Sequence, residues 1–413
     1  MFALVDCNNF YASCERVFRP EWRKVPIAVL SNNDACLIAR SDEVKELGYK
    51  LGDSYFKLRK QLQRDGVIVR SSNYALYGDL SQRVMECLED LVPRVEVCSI
   101  DEAFLDLHGI QDLPAFGQKI ARTVKRWTSI PVSVGIAPTK TLAKLANHLG
   151  KKSTGSNNVH IMEPPYLLDQ IAIENVWGVG RRLSLRLRLV GIGTAQDLAD
   201  LDCMIARKKF SVVLERTVRE LRGESCIEIE ELSPDPLHLM VSRGFKGRVT
   251  TKHQLREAVA TYTSRVAEKA RAKGVYAGTI QLFIRTSPFS KGPRYVNNAS
   301  WTFRDPRNDN LSLVKAATRC LDTIWKEGYA YQKAGVLLTD LSTEQQRIIP
   351  LFEKAPRKAT GELMRVVDRM NQRYGSETIR IASSGTERPW MMSREFLSPS
   401  YTTRWKDIPT VRA

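Results

Sequence analysis

Apolar positions along the chain recur with two periods, near two residues and near 3.6, and the switches between them mark out strands and helices. "MFALVD" reads as a short buried strand ending at Asp6, and "NNFYASCERVF" behind it places Phe10, Cys14, Val17 and Phe18 on one helical face. Asn8 or Asn9 stands where a helix cap belongs. "PIAVL" (26–30) predicts a second strand, "SNND" (31–34) a polar turn, and "SDEVKELG" (41–48) a helix closed by Gly48. A helix over 78–91 leads into "RVEV" (94–97) and "AFLDL" (103–107), half-buried strands that pair as a hairpin with Ser99–Glu102 at its tip. "IPVSVGIA" (130–137) predicts a strand running into the basic amphipathic helix "PTKTLAKLANHLGKK". Residues 165–225 read as all-helical and "ELSPDPLHLM" (231–240) as a Pro-rich linker. Beyond it, strands ("GTIQLFIRT", "AGVLLTD") mix with helices over 253–273 and 311–328, and the final 70 residues read as less regular.

The hairpin tip carries the first chemistry. Neighbours on a strand point to opposite faces, so Asp101 and Glu102 converge only where the backbone turns. A solvated tip accounts for such a pair on its own. Asp6, at the end of the first strand, adds a third carboxylate. Hard divalent cations such as Mg²⁺ bind one or two protein carboxylates plus substrate phosphates. Two of them can activate a hydroxyl and stabilise the leaving oxygen in phosphoryl transfer. Asp6, Asp101 and Glu102 are the smallest set for such a site, with the Cys7 backbone carbonyl as a further ligand. Spacing alone leaves both accounts open.

Composition narrows the partner. The 413 residues hold 63 Lys and Arg against 46 Asp and Glu, a net charge of +17 that suits a polyanion, nucleic acid before membrane surface. Residues 234–341 alone hold 18 basic and 8 acidic residues. No stretch approaches the 18 or more apolar residues of a membrane span, and "MFALVDC" lacks the features of a signal peptide. The eight cysteines show no CxxC spacing and read as reduced thiols of a cytoplasmic protein.

"VDCNNFYASCE" (5–15), "CSIDEAFLDL" (98–107) and "VGIAPTKTLAKLANHLGKK" (134–152), in this order, resemble the Y-family translesion DNA polymerases. "SNNDACLIARSDEVKELG", "SSNYALYGDLSQRV" and "LERTVRELRGE" (214–224) are similar to its UmuC subgroup, the catalytic subunits of bacterial DNA polymerase V and plasmid-borne relatives. The likeness covers essentially the whole chain. It implies a mixed α/β (α+β) right-hand polymerase: palm at 1–11 and 76–161, fingers at 12–75, a helix-hairpin-helix thumb at 162–229, a linker at 230–237, a little finger at 238–342 and a tail at 343–413. The implied activity is error-prone, template-directed addition of deoxynucleotides to a primer 3′-hydroxyl opposite damaged bases, in the SOS response, with two Mg²⁺ ions. A nucleotidyl cyclase-like palm enzyme would need neither the thumb nor the basic C-terminal domain. A non-catalytic DNA-binding subunit would not need all three acids.

Carried over by residue, the resemblance makes Asp6, Asp101 and Glu102 metal-binding and catalytic. Tyr11 becomes the steric gate beneath the incoming sugar, with Phe10 packed beside it. Lys144 matches the triphosphate-binding lysine, and Lys140 one turn earlier reads as a DNA or solvent contact. Where many members carry a Tyr and an Arg for the phosphates, this chain has Asp42 and Lys45; Lys45 acts as a point charge without Arg's fork, and Asp42 is compatible with phosphate only if it pairs with Lys45. "WGVGRR" suggests DNA phosphate binding through Gly178, Gly180, Arg181 and Arg182, although it also fits a glycine-closed turn with solvated arginines. Arg243, Lys246 and Arg248 alternate along a strand edge and would straddle a phosphate backbone; a solvated face is the plainer account of any one of them. In "QQRIIPLFEK" (345–354), Ile349, Leu351 and Phe352 resemble a sliding-clamp peptide, or form an apolar segment packed on its own domain. Residues 355–413 resemble the subgroup's extension, which implies a UmuD′-type partner and the RecA filament.

Overall fold

Val, Ala and Leu crowd the first strand because it lies inside a sheet covered on both faces. The computed structural model describes residues 1–152, 158–230, 235–289, 292–347 and 358–410. The chain forms two units: Met1–Ser31, Ala35–Ser233 and Phe396–Ala413 make the first, and Asn32–Asp34 with Pro234–Glu395 the second. The first unit begins with β1 (Phe2–Cys7), α1 (Phe10–Val17), β2 (Ile27–Leu30), β3 (Leu37–Arg40), α2 (Asp42–Glu46), α3 (Tyr55–Arg64) and β4 (Ile68–Ser71). It continues with α4 (Tyr74–Glu89), β5 (Val95–Val97), β6 (Glu102–Asp106), α5 (Leu113–Thr128), β7 (Val132–Ala137), α6 (Lys140–Lys152) and β8 (Val159–Ile161). Four short helices follow, α7 (Arg181–Arg188), α8 (Ala195–Asp200), α9 (Cys203–Lys209) and α10 (Val212–Leu221).

The main sheet has the order β5-β6-β1-β7-β8, antiparallel except for the parallel β7–β8 pair. Alternation divides β1 cleanly: Ala3, Val5 and Cys7 join the core with α4 and α5, while Leu4 joins Phe104 and the apolar face of α6. Asp6 therefore belongs to the α6 face. Helix α6 lies directly on β7, since a Cβ at Gly135 would overlap the Ala143 carbonyl oxygen and the Asn147 nitrogen. Its first turn is held from α10: the Thr141 N–H donates to the buried Glu220 carboxylate at 3.0 Å. A second sheet, β3-β2-β4, packs Ala28, Leu30 and Leu37 against Val44 and Leu62. The periodicity alone passes over β3 and β4, four residues each and too short for alternation to register. Helix α4 starts at Tyr74, four residues before the predicted start, because Asn73 Oδ1 accepts the Leu76 N–H at 3.3 Å and caps it.

The second unit contains β9 (Leu239–Val249), α11 (Lys252–Ala272), β10 (Val275–Thr286), β11 (Val296–Arg307), α12 (Asn310–Ile324), β12 (Tyr331–Thr343) and α13 (Lys358–Tyr374). Its antiparallel sheet, β11-β10-β12-β9, is covered on one face by α11 and α12. Strand β11 is invisible to apolar patterning because "VNNASWTFRDPR" is largely exposed. Helix α13 is regular where the sequence suggests little order; it is tied to α11 by the Arg271–Asp368 pair, with both hydrogen bonds at 2.7 Å. The C-terminal tail is not one body. Residues up to Glu395 belong with the second unit, where Trp390 enters the core, and Phe396 onward belongs with the first.

Candidate active site

Strand register brings two of the three predicted acids together. Asp6 pairs directly with Glu102 across β1 and β6, so the two side chains share a face. Asp101 is one residue outside β6, at the tip of the β5–β6 hairpin. Its carbonyl oxygen accepts the Cys7 N–H at 2.8 Å, and its Oδ1 accepts the Ser99 hydroxyl at 2.5 Å. The adjacency that looks wrong for a strand is thus a turn residue next to a strand residue.

Like charges opposite each other in a sheet repel, and α6 supplies the compensation. Lys151 Nζ stands 2.6 Å from Asp6 Oδ1, and Lys144 Nζ 3.0 Å from Glu102 Oε1. Seven residues apart, these lysines lie on one side of the helix. Burial raises the Asp6 pKa above the ordinary aspartate value; Lys151 opposes the shift, and the charges of Asp101 and Glu102 add to it. Among the described residues, no three acidic, His or Cys side chains stand as a ready-made metal-ligand group. The acids still fit a divalent cation by identity and position. They are mutually repelling carboxylates at the ends of neighbouring strands, balanced by the ammonium groups of Lys144 and Lys151, whose place beside them a metal could take.

A cavity of about 310 Å³ opens beside them, lined in part by Asp6, Asn9, Phe10, Tyr11, Lys45, Asp101 and Lys151. Phe10 is buried in the core, and the half-buried Tyr11 stacks flat on Tyr77 with centroids 4.5 Å apart. Lys45 pairs with Asp42 at 2.8 Å. Burial would raise the Asp42 pKa, but hydrogen bonds from Lys45 and Asn9 outweigh it and hold the carboxyl below its ordinary value. Asp42 thus meets the condition set by its pairing with Lys45. Lys144 is held between Glu102 and the Trp177 ring, 4.8 Å from its centroid, and Lys151 lines the cavity instead. Sequence reading missed Lys151, although its seven-residue spacing from Lys144 was the available signal. Lys140 is a correction. It is fully buried, bonded to Glu96 and to the Glu228 carbonyl oxygen, so it is neither a DNA nor a solvent contact.

Farther along, Gly178 has φ +84° and Gly180 occupies the cap position of α7 without any side chain to satisfy its first N–H groups. Arg181 and Arg182 beside it are exposed. In the second unit, Arg243, Lys246 and Arg248 are exposed on the edge strand β9. A register shift between Gly244 and Val249 breaks their alternation, so they do not form an even row. Two cations that the sequence did not suggest stand with them: Lys333 lies opposite Arg285. The Lys333 pKa is lowered by burial, then by the charges of Arg285 and Arg243. Ile349, Leu351 and Phe352 lie outside the described residues.

The fold is that of Y-family DNA polymerases. The insertion ternary complex of Dbh DNA polymerase matches with TM-score 0.56 at 19% identity, over 83% of this chain and 100% of that one. A Y-family DNA polymerase chimera matches with TM-score 0.67 at 20% identity over the same shares. Residues 5–148 match the impB/mucB/samB family, 237–351 its C-terminal domain, and 362–411 a domain of unknown function, DUF4113. The protein UmuC of Salmonella typhimurium is 48% identical over 422 residues and all of both chains, and the protein ImpB of the same organism 46% over 426. DNA polymerase IV of Moorella thermoacetica is 28% identical, over 93% of this chain and 96% of its own length. Fold and relatives together define a Y-family DNA polymerase, a nucleotidyltransferase acting on primer-template DNA and deoxynucleotides. The chain belongs to the impB/mucB/samB family, among the UmuC-type translesion polymerases. That membership implies dependence on a divalent metal. No helix among the described residues is long and apolar enough to cross a membrane.

Proposed function

We propose that Asp6, Asp101 and Glu102, with the Cys7 carbonyl, hold two Mg²⁺ ions, and that the chain extends a primer 3′-hydroxyl opposite damaged template bases. The observation that carries this is the directly opposed Asp6–Glu102 pair, balanced by lysines of one helix, with Asp6 and Asp101 lining the cavity that Tyr11 also lines. Bound Mg²⁺ would supply activation of the hydroxyl and charge neutralisation at the leaving oxygen. The protein's own part is to bind and orient. Lys151 and Lys45 face the triphosphate from the cavity wall, and Lys144 adds charge from behind Glu102. Tyr11, backed by Tyr77, lies beneath the sugar and excludes a 2′-hydroxyl, with Phe10 fixing its helix from the core side.

Residues 1–11 and 76–161 act as palm, 12–75 as fingers and 162–229 as thumb. The thumb grips duplex phosphates through the α7 start, with Gly178, Gly180, Arg181 and Arg182. Residues 230–237 link to the little finger at 238–342, which adds Arg243, Lys246, Arg248, Arg285 and Lys333; such contacts hold DNA without reading its sequence. Ile349, Leu351 and Phe352 engage a sliding clamp. In the bacterial cytoplasm the chain works in the SOS response with a UmuD′-type subunit and the RecA filament. Primer extension past an abasic site, with and without those partners, tests the reading. Asp101→Asn and Glu102→Gln should each abolish extension while primer-template affinity by fluorescence anisotropy stays near wild type. Equal loss of DNA binding or folding in both would return the acids to a structural role.

A further inference from the structure

Residues Phe396–Tyr401 run beside the helix that backs Tyr11. Ser71 and Phe396 are bonded in both directions: the Ser71 N–H donates to the Phe396 carbonyl oxygen at 3.1 Å, and the Phe396 N–H to Ser71 Oγ at 2.9 Å. Asn73, the cap of α4, uses its other end on the segment, with Nδ2 donating to Ser398 Oγ at 3.0 Å and to the Ser398 carbonyl oxygen at 3.3 Å. The Ser398 hydroxyl in turn donates to Glu15 Oε1 at 3.0 Å. That same oxygen accepts the Tyr77 hydroxyl at 2.7 Å. Ser398, Glu15, Asn73 and Tyr77 are all nearly or fully buried. Tyr401 closes the segment by stacking on Phe18, centroids 4.6 Å apart.

This run of bonds ends on Tyr11, because Tyr77 is the ring on which Tyr11 stacks, at an interplanar angle of 16°. A buried carboxylate is costly unless it is hydrogen-bonded; both hydroxyls donate to Glu15 Oε1, while Oε2 finds no hydrogen-bond partner among the described residues. Burial raises its pKa, while Tyr77 and Ser398 pull the other way. Removing the Ser398 hydroxyl leaves Glu15 with one donor fewer and Asn73 with one acceptor fewer. Both changes fall on the groups that set where Tyr77 lies.

We infer that the segment Phe396–Tyr401 is a positioning element for the sugar gate, acting through Ser398, Glu15 and Tyr77, so that the C-terminal end of the chain helps set ribonucleotide exclusion. The inference rests on Tyr11 as the gate. It assigns work to part of a region matched only as a domain of unknown function.

The test is single-nucleotide insertion of dCTP and CTP opposite template G by the full chain, scored as the ratio of the two kcat/KM values. Tyr11→Ala should collapse the ratio. Ser398→Ala should lower it about threefold to tenfold, the span that net loss of one hydrogen bond covers, with dCTP insertion and primer-template affinity close to wild type. In the Tyr11→Ala background, Ser398→Ala should change the ratio no further, because the two act on one unit. Glu15→Gln, which keeps an oxygen for both hydroxyls, should retain the ratio where Glu15→Ala loses it. An unchanged ratio in Tyr11→Ala overturns the gate and the inference together. A collapsed ratio in Tyr11→Ala with an unchanged one in Ser398→Ala, or equal loss of both nucleotides in Ser398→Ala, overturns the inference and leaves the gate standing.

Discussion

Asp6→Asn should stabilise the folded protein at neutral pH while removing its activity, and the sign follows from three competing terms. The substitution deletes the Asp6–Lys151 ion pair, whose side chains keep 21% and 36% of their exposure; such a partly exposed pair is worth about 0–1 kcal/mol. It also deletes a like-charge interaction with Glu102 directly across the sheet, on the order of 0.2–1 kcal/mol unfavourable. The third term is the cost of burying an ionised carboxylate. That term decides, because burial outweighs Lys151 in setting the raised pKa. A carboxyl whose pKa is raised on folding adds stability below its unfolded value and loses it as pH rises through the folded one. Above that raised pKa the ionised Asp6 is therefore a net liability, and asparagine should recover about 0.5 kcal/mol, the scale of one relieved like-charge pair across a sheet, or roughly 1–2 °C in Tm for a domain of this size. The gain should shrink toward pH 4. Differential scanning fluorimetry at pH 7 and pH 4, with and without Mg²⁺, reads all of it. At about ten times its Kd the ion should stabilise the wild type by about 1.4 kcal/mol, and the variant hardly at all. A loss of more than about 2 kcal/mol at pH 7, or an undiminished Mg²⁺ effect in Asp6→Asn, would refute the reasoning.

Two further outcomes separate the cations. Lys151→Ala should raise KM for dCTP more than Lys144→Ala does, since Lys151 lines the cavity and Lys144 does not; steady-state insertion kinetics decide, and the reverse order would restore Lys144 as the main triphosphate lysine. Replacing Arg243, Arg285 and Lys333 together by Ala should flatten the slope of log affinity against log salt by up to about 0.9 for each phosphate no longer neutralised; an unchanged slope in an anisotropy titration would remove them from the DNA interface.

The fold class was legible in the sequence, and so was the position of the three acids along the chain. Asp6, Asp101 and Glu102 stand at strand ends and a hairpin tip, where spacing leaves their role open, and it is the family resemblance that singles them out together with Tyr11. Lys151 escaped because a basic helix offers several lysines, and only the close seat of α6 on Gly135 decides which of them reach the acids. Lys140 misled for the same reason: one turn away from Lys144, it turns into the protein toward Glu96. Strand β11 and the pairing of Arg285 with Lys333 depend on register, which neither composition nor periodicity carries. The return of Phe396 to the first unit joins residues more than 300 positions apart, beyond the reach of any local pattern.

A net charge of +17 suggests a polyanionic partner; strand register shows where the protein sets like charges against each other. It does so twice, with opposite signs. At the ends of β1 and β6 carboxylates face each other; burial raises the Asp6 pKa, Lys151 opposes the shift, and the charges of Asp101 and Glu102 add to it. On the second unit's sheet, Arg285 and Arg243 depress the Lys333 pKa further than burial does. Burial and like charge work against folding at each, and under the proposed function each would be relieved by a ligand of opposite charge, a cation in the first case and phosphate in the second. The linkage runs in opposite directions as well. On the proposed function, metal binding would favour proton release from Asp6, and DNA binding proton uptake at Lys333 on the alkaline side. Packing alone would select neither arrangement, which supports the proposed metal site at Asp6 and the proposed phosphate contacts at Lys333.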